Sequence, residues 1–367
     1  MKRTLRVIEP GARTLVQDQG FKNVRGIGVP AGGVLDLTAM RLVNALLGNP
    51  EQTEVLEVAL SSPCLRAEGG AVRVATSAGL CGVVRSAQGA SRAIAEWTAT
   101  WLNDGDELHL ASPARGGVAV LGIGGGLDLP FVLGSRSTCD KAGFGGFKGR
   151  SLAKGDILPV RGPGPFDAKA GQADRVFRLI PRLAVGPIRV VAGPQPENFT
   201  DGAYATFFGA GYTVTVRMDR MGMRLAGERL EHSGPGAADI ISDGAAPGAI
   251  QVPGNGLPII LLADAQTTGG YPKIATVIRA DLPRLAACVP GDILRFTGVS
   301  VAEAEAAARA QARQLAEVTA SIVETAWESR DPRALLELNL ISGVVDMGRP
   351  NHFPGHIFDT DDDVEMC

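Results

Sequence analysis

Glycine and proline interrupt this chain so often that sustained helical periodicity is rare before residue 300. The 367 residues include 48 Gly and 23 Pro. Gly supplies backbone conformations closed to other residues and Pro removes a hydrogen-bond donor, so both punctuate regular structure. Short apolar runs between such breaks predict many brief strands joined by tight turns, hence a mainly β barrel or sandwich. Strand-like runs lie at residues 14–17, 53–59, 72–76, 80–85, 107–111 and 118–123, and again at 188–191, 212–217 and 259–263. Gly105-Asp106, Gly155-Asp156 and Gly291-Asp292 each precede a β-type run. Gly with positive φ and Asp bonding the turn backbone predict the same hairpin entrance at all three.

Two helices stand out against this background. Asp36 can cap a helix whose apolar face is Leu37, Met40, Val43 and Leu47, and Gly48-Asn49-Pro50 ends it. Ser300 and Glu303 form a capping box ahead of an Ala-rich helix expected to run to about Trp327, with Ala308, Leu315, Val318 and Ile322 on one face. A shorter helix is expected at 332–338, and the acidic run 359–363 reads as a solvated tail. Four segments follow: a first lobe at 1–160, a Pro- and Gly-rich connection at 161–198, a second lobe at 199–299, and a helical extension with its tail at 300–367.

Bulk properties narrow the function. A net charge of -3 gives no reason to expect nucleic acid or an anionic membrane as partner. No apolar run approaches the ~18 residues that span a bilayer, and the basic N-terminus lacks the apolar stretch of a signal peptide. Five scattered cysteines without a CxxC predict reduced thiols and a cytoplasmic protein. The run Gly122-Ile123-Gly124-Gly125-Gly126 fails the dinucleotide fingerprint, since Leu127 and Pro130 stand where a glycine and a helix are needed. The chain contains no GxxxxGK[ST] phosphate loop. His352 and His356 are separated by Pro354 and Gly355, which keeps them off one helical face, so no metal site is expected. His109 and His232 are isolated and read as structural or exposed.

The densest chemistry lies at residues 250–281. A strand-like run ends in a turn bearing Asp264, Gln266, Thr267, Thr268 and Tyr271, and Lys273 starts the next run; Gln251 lies just upstream. Loops on rigid scaffolds are where binding and catalytic groups usually sit, although the same residues also build ordinary turns. Asp219-Arg220 follows a strand and reads either as a ligand-facing pair or as a surface turn. Around Cys139, Ser135, Arg136 and Ser137 either present hydroxyls and a guanidinium to a carboxylate or phosphate, or belong to a β-rich loop with Phe144 and Phe147 in a core.

Residues 29–49 (VPAGGVLDLTAMRLVNALLGN), 134–156 (GSRSTCDKAGFGGFKGRSLAKGD), 219–225 (DRMGMRL) and 250–282 resemble the family of 5-oxoprolinase C subunits, also called the KipA or allophanate hydrolase subunit 2 family. The resemblance runs from about Leu5 to Phe296 and leaves out the extension. It implies two cyclophilin-like β-barrel lobes, and ATP-coupled opening of 5-oxoproline, a small cyclic amide. It also implies two partners, a KipI-like protein (the B subunit) and a LamB-like protein (the A subunit). It equally implies kinship with the carboxyltransferase part of biotin-dependent urea carboxylase, and a third reading is a regulatory module binding a KipI-like partner. The chain departs from the family where SGAMD is replaced by Gly32-Gly33-Val34-Leu35-Asp36 and where Ala287 stands in place of a common Gln. It has no Met-Lys-Met biotinylation site and no ATP-binding motif, so ATP would be used by the complex and any biotin carried on another chain. Lactam opening through a phosphorylated carbonyl oxygen needs cations and a proton-transfer group. Asp264, Lys273 and Arg220 are the expected catalytic residues. Arg136, Ser137, Asp219, Gln251, Gln266, Thr267, Thr268 and Tyr271 are the expected substrate contacts.

Overall fold

The computed structural model describes residues 2–113, 117–162, 173–181 and 184–325. The expected helix at 332–338, the acidic run, His352 and His356 lie outside these residues. The architecture is mainly β, as expected. A six-stranded sheet has the order Ile157–Pro159, Thr4–Glu9, Cys64–Glu68, Glu107–Leu110, Gly82–Arg85, Ser91–Ile94. A seven-stranded sheet has the order Arg13–Gln17, Val55–Ala59, Val118–Ile123, Val72–Thr76, Thr98–Leu102, Asp174–Phe177, Ile322–Thr325. These two sheets enclose one core, which includes Leu5, Val16, Leu56, Leu65, Val74, Leu108 and Leu121. An eight-stranded sheet carries the second lobe, in the order Ile293–Leu294, Tyr212–Met218, Gly222–Ala226, Ile259–Leu261, Ala249–Gln251, Lys273–Val277, Ile188–Ala192, Phe296–Gly298. It wraps a separate core that includes Phe207, Tyr212, Met223, Ile250, Ile260 and Phe296.

The three Gly-Asp turns share one geometry. Each Gly has positive φ (86°, 83° and 98° at Gly105, Gly155 and Gly291). In each, the Asp carboxylate accepts a hydrogen bond from the backbone N–H three residues earlier, at Asn103, Ala153 and Val289.

Helix α1 (Leu37–Leu47) begins where Asp36 accepts from Ala39 N at 2.8 Å and ends at Gly48 with φ 69°. Met40, Leu42, Val43 and Leu46 are buried against Ala75, Ala99 and Val120 of the seven-stranded sheet. Helix α2 (Asp201–Gly209) buries Phe207 in the second core, and the one-turn helix α3 (Leu282–Ala286) buries Leu285 there.

Helix α4 (Val301–Ala320) has the expected capping box. It stops short of Trp327 because Ile322–Thr325 leaves the helix and pairs antiparallel with Asp174–Phe177. Three of those four residues are β-branched, which suits a strand edge. Leu315, Val318 and Ile322 close over Phe177, Trp97 and the α1 face. Gln311 of α4 also donates to Ala280 O of the second lobe at 3.1 Å. The extension thus touches both lobes. Among the described residues, no helix is long and apolar enough to cross a membrane.

Candidate functional site

The strands Ala249–Gln251, Ile259–Leu261 and Lys273–Val277 are neighbours in the second-lobe sheet, and Gln251 sits between Ile259 and Lys273 in register. Beside them opens a cleft of about 360 Å³ lined by Arg217, Asp219, Arg224, Gln251, Gln266 and Tyr271, with Met218, Met221 and Ile259 supplying apolar wall. Four of the residues expected to contact substrate therefore converge: Asp219, Gln251, Gln266 and Tyr271. Gln251 is the most constrained of them. It is 2% exposed, and its Nε2 has no hydrogen-bond partner. A buried unpaired amide donor costs roughly 1–3 kcal/mol, so an ordered water or a ligand acceptor at Nε2 would be stabilising. A Cβ at Gly269 would sit 2.5 Å from that Nε2, so glycine there lets the amide lie against the loop. Asp219 mainly shapes its turn, accepting from Met221 N at 2.8 Å and Gly222 N at 3.2 Å. Thr268 belongs to a two-residue ladder with Asp243–Gly244, and the Thr267 carbonyl accepts from Ala245 N.

Lys273 is 4% exposed and its Nζ lies 2.9 Å from Asp243 Oδ2. Gln195 completes the group: its Nε2 donates to the same Oδ2 at 3.1 Å, and its Oε1 accepts from Lys273 N at 3.1 Å. The Lys273 ammonium holds the Asp243 carboxyl below its ordinary pKa, helped by the Gly244 N–H. Sequence reasoning missed Gln195 and Asp243. The only local signal was the Asp-Gly turn dipeptide at 243–244, which marks a bend and carries no functional message.

Arg220 and Asp264 also come together, though as partners of each other. Arg220 Nε and one terminal nitrogen donate to the two oxygens of Asp264 at 2.8 and 2.9 Å. The remaining contacts cross to the first lobe, to Glu57 and to the Gly33 carbonyl at 2.6 Å. Arg220 is 4% exposed. Burial works against its charge, but Glu57 and Asp264 outweigh that and raise its pKa above the ordinary value. This guanidinium is fully engaged in joining the lobes.

Arg136 and Ser137 lie in the first lobe. The buried Asp18 carboxylate accepts from Ser135 Oγ (2.5 Å), Ser137 Oγ (2.6 Å), Arg136 N (2.7 Å) and Gly20 N (2.8 Å). The two hydroxyls thus hold an internal anion. The Arg136 guanidinium stacks 3.7 Å from the Phe131 ring centre and reaches within 3.5 Å of Glu54, at a separate cleft of about 410 Å³. The expected site residues therefore divide among a second-lobe cleft, the Lys273–Asp243 pair with the adjoining Thr267 and Thr268, an interlobe ion cluster, and the first-lobe segment of Arg136 and Ser137.

Comparison with known proteins gives this geometry a family. The carboxyltransferase domain family, subdomains A and B, matches residues 27–298. The chain belongs to that family. Within it, the chain is 36% identical to the 5-oxoprolinase C subunit of Escherichia coli, over 84% of this chain and 96% of the relative. It is 32% identical to the 5-oxoprolinase C subunit of Haemophilus influenzae, over 81% of this chain and 92% of the relative. The crystal structure of the K. lactis urea amidolyase superposes with a TM-score of 0.77 at 27% identity, covering 89% of this chain and 20% of that one. This family member thus spans about a fifth of the larger structure. The recognised motifs and the mainly β fold agree with these relationships.

Proposed function

We propose that this chain is the C subunit of an ATP-dependent 5-oxoprolinase, and that the second-lobe cleft receives the lactam. The observation that carries the reading is the buried Gln251 amide, its Nε2 without a partner, in the wall of a cleft with cationic rims. A five-membered lactam with a carboxylate offers a carbonyl oxygen for Gln251 and an anion for Arg217 or Arg224. Gln251 would orient the carbonyl and strengthen its bond as negative charge builds on that oxygen. The Lys273–Asp243–Gln195 group beside it supplies a fixed cation and a carboxylate for proton handling. Higher identity to the two 5-oxoprolinase relatives than to the urea amidolyase structure supports lactam opening over carboxyl transfer. ATP is used by the assembled complex, whose other members are a KipI-like protein and a LamB-like protein; no biotin is attached to this chain.

A second reading, carboxyl transfer from a carboxybiotin carrier to a small amide, is favoured by the family description and by the superposition on urea amidolyase. The same amide donor would serve a urea-like acceptor. The test is co-expression with KipI-like and LamB-like chains, followed by assay of ATP-dependent glutamate release from 5-oxoproline. The expected result is turnover by the complex, none by this chain alone, and a loss of at least tenfold with Gln251→Leu while assembly persists. Undiminished turnover by the Gln251→Leu complex removes the cleft assignment. An assembled complex that releases no glutamate, yet carboxylates urea when given a biotin carrier and its carboxylase, replaces the first reading with the second.

A further inference from the structure

Sequence spacing gives His109 no metal partner, and cross-strand register supplies what spacing conceals. Leu65 and Leu108 point into the first core, so alternation turns Cys64, Arg66, Glu107 and His109 to the outer face of the six-stranded sheet. Cys64 lies directly opposite His109, and Arg66 opposite Glu107. The Cys64 sulfur, a His109 ring nitrogen and a Glu107 oxygen all lie within 4.8 Å of one another. Sγ is 3.5 Å from Nδ1 and 3.7 Å from Nε2, and Nε2 is 2.9 Å from Glu107 Oε2.

We propose that Cys64, His109 and Glu107 form a binding site for a divalent cation of the Zn²⁺ class. Metal–ligand bonds of ~2.0–2.3 Å in a tetrahedral arrangement put neighbouring ligand atoms ~3.3–3.6 Å apart. The Sγ–Nδ1 and Sγ–Nε2 spacings of 3.5 and 3.7 Å lie at that range, and the 2.9 Å Nε2–Oε2 hydrogen bond must open by ~0.4 Å for both atoms to bind one ion. Thiolate, imidazole and carboxylate together suit Zn²⁺, whereas Mg²⁺ and Ca²⁺ favour oxygen donors. Arg66 Nε donates to Glu107 Oε1 at 3.1 Å, which leaves Oε2 aimed at the histidine and fixes the carboxylate from behind. The His109 side chain is 32% exposed, so water can reach a fourth coordination position. Binding displaces the Cys64 thiol proton to solvent; Nε2 binds metal with its proton moved to Nδ1, and nothing is oxidised or reduced. The bound cation would staple the Cys64–Glu68 strand to Glu107–Leu110. The site belongs to the first lobe and does not depend on the lactam reading.

The test uses the full chain, stripped with chelator and titrated with Co²⁺ as a coloured stand-in for Zn²⁺. The expected result is a thiolate-to-cobalt charge-transfer band in the near ultraviolet that saturates at one equivalent and disappears on adding Zn²⁺. Cys64→Ser should abolish the band, Glu107→Gln should weaken Co²⁺ binding at least tenfold, and Cys288→Ser should leave the band unchanged. Zn²⁺ should also raise the unfolding midpoint of the wild type but not that of Cys64→Ser. Absence of the band in the wild type overturns the proposal, as does a band that survives Cys64→Ser. Full Co²⁺ affinity in Glu107→Gln overturns the assignment of that ligand. If Cys64→Ser fails to fold, the Glu107→Gln titration decides.

Discussion

Replacing Arg220 with Met tests whether this guanidinium latches the lobes together. Its fork engages Glu57, Gly33 O and both oxygens of Asp264, all at sites nearly closed to solvent. Met keeps much of the apolar stem and removes the charge. Glu57 is 3% exposed and the Asp264 side chain 10%, so two carboxylates then remain buried close together without a cation. Removing one partner of a buried pair costs ~3–5 kcal/mol, chiefly because the other charge is left uncompensated. At about 2–4 °C per kcal/mol for chains of ~150–250 residues, the melting midpoint should fall by ~10 °C.

Denaturant titration of wild type, Arg220→Met, Arg220→Lys and the triple change Glu57→Gln/Arg220→Met/Asp264→Asn separates the effects. Arg220→Lys should fall between wild type and Met, since an ammonium cannot reproduce four directed hydrogen bonds. The triple variant should be more stable than Arg220→Met by ~1–3 kcal/mol, because it removes the stranded charges. If Arg220→Met unfolds within ~1 kcal/mol of wild type, or the triple variant is the least stable of the set, the latch reading is wrong.

Asp36 provides a pH signature. Burial pushes its carboxyl up to about 6, against the Ala39 and Thr38 N–H groups that favour the charge, with Glu57 adding to the rise. A folded pKa above the unfolded one gives stability that is full below the ordinary value of 3.8 and is lost as pH rises through about 6. Wild type should therefore gain stability relative to Asp36→Asn, which keeps a capping oxygen, when urea midpoints are compared at pH 7 and pH 4; parallel profiles would refute this. Val318 is the buried residue of α4, and burying such a side chain contributes roughly 1.5–3 kcal/mol. Val318→Asp should lower the unfolding free energy from urea titration by at least that amount, and with it the midpoint, and deleting residues after Val299 should cost solubility, since Leu315, Val318 and Ile322 all leave the face they cover. An unchanged midpoint in Val318→Asp would show that α4 is dispensable to the first lobe.

Local signals that agree with the fold were readable in the sequence. The α1 cap, its apolar spacing and its terminal glycine all act within one helix, so they read correctly in isolation. The Gly-Asp turns likewise depend on backbone groups three residues away. The end of α4 did not read correctly, because its helical pattern yields to a strand whose partner lies about 150 residues earlier. That partner, Asp174–Phe177, sits in a stretch whose Pro and Gly content suggested a connection. The strand Thr4–Glu9 was also missed; the Pro10-Gly11 turn signals its end, but its place is set by pairing with Cys64–Glu68 and Ile157–Pro159.

The site shows the same division more sharply. Chemistry-bearing residues were visible as types, while their partners were set by tertiary register. Lys273 and Asp264 both looked like available charges, yet each has a carboxylate or guanidinium partner 30 or 44 residues away. Gln251 attracted no special notice among its neighbours, and burial without a partner is what distinguishes it. The geometry also ties the cleft to the lobe interface. Asp219 and Met221 line the cleft, while Arg220 between them reaches the opposite way to Glu57. Asp264, clamped by Arg220, begins the loop that carries Gln266 and Tyr271 into the same cleft. The peptide of Gly32 adds to this tie by donating to Ala263 O at 2.8 Å. Both walls of the cleft are therefore anchored through one guanidinium to the first lobe, so a shift between lobes must move residues that line the cleft. The contacts of Arg220 thus bear on where Gln266, Tyr271 and the 219–221 turn stand.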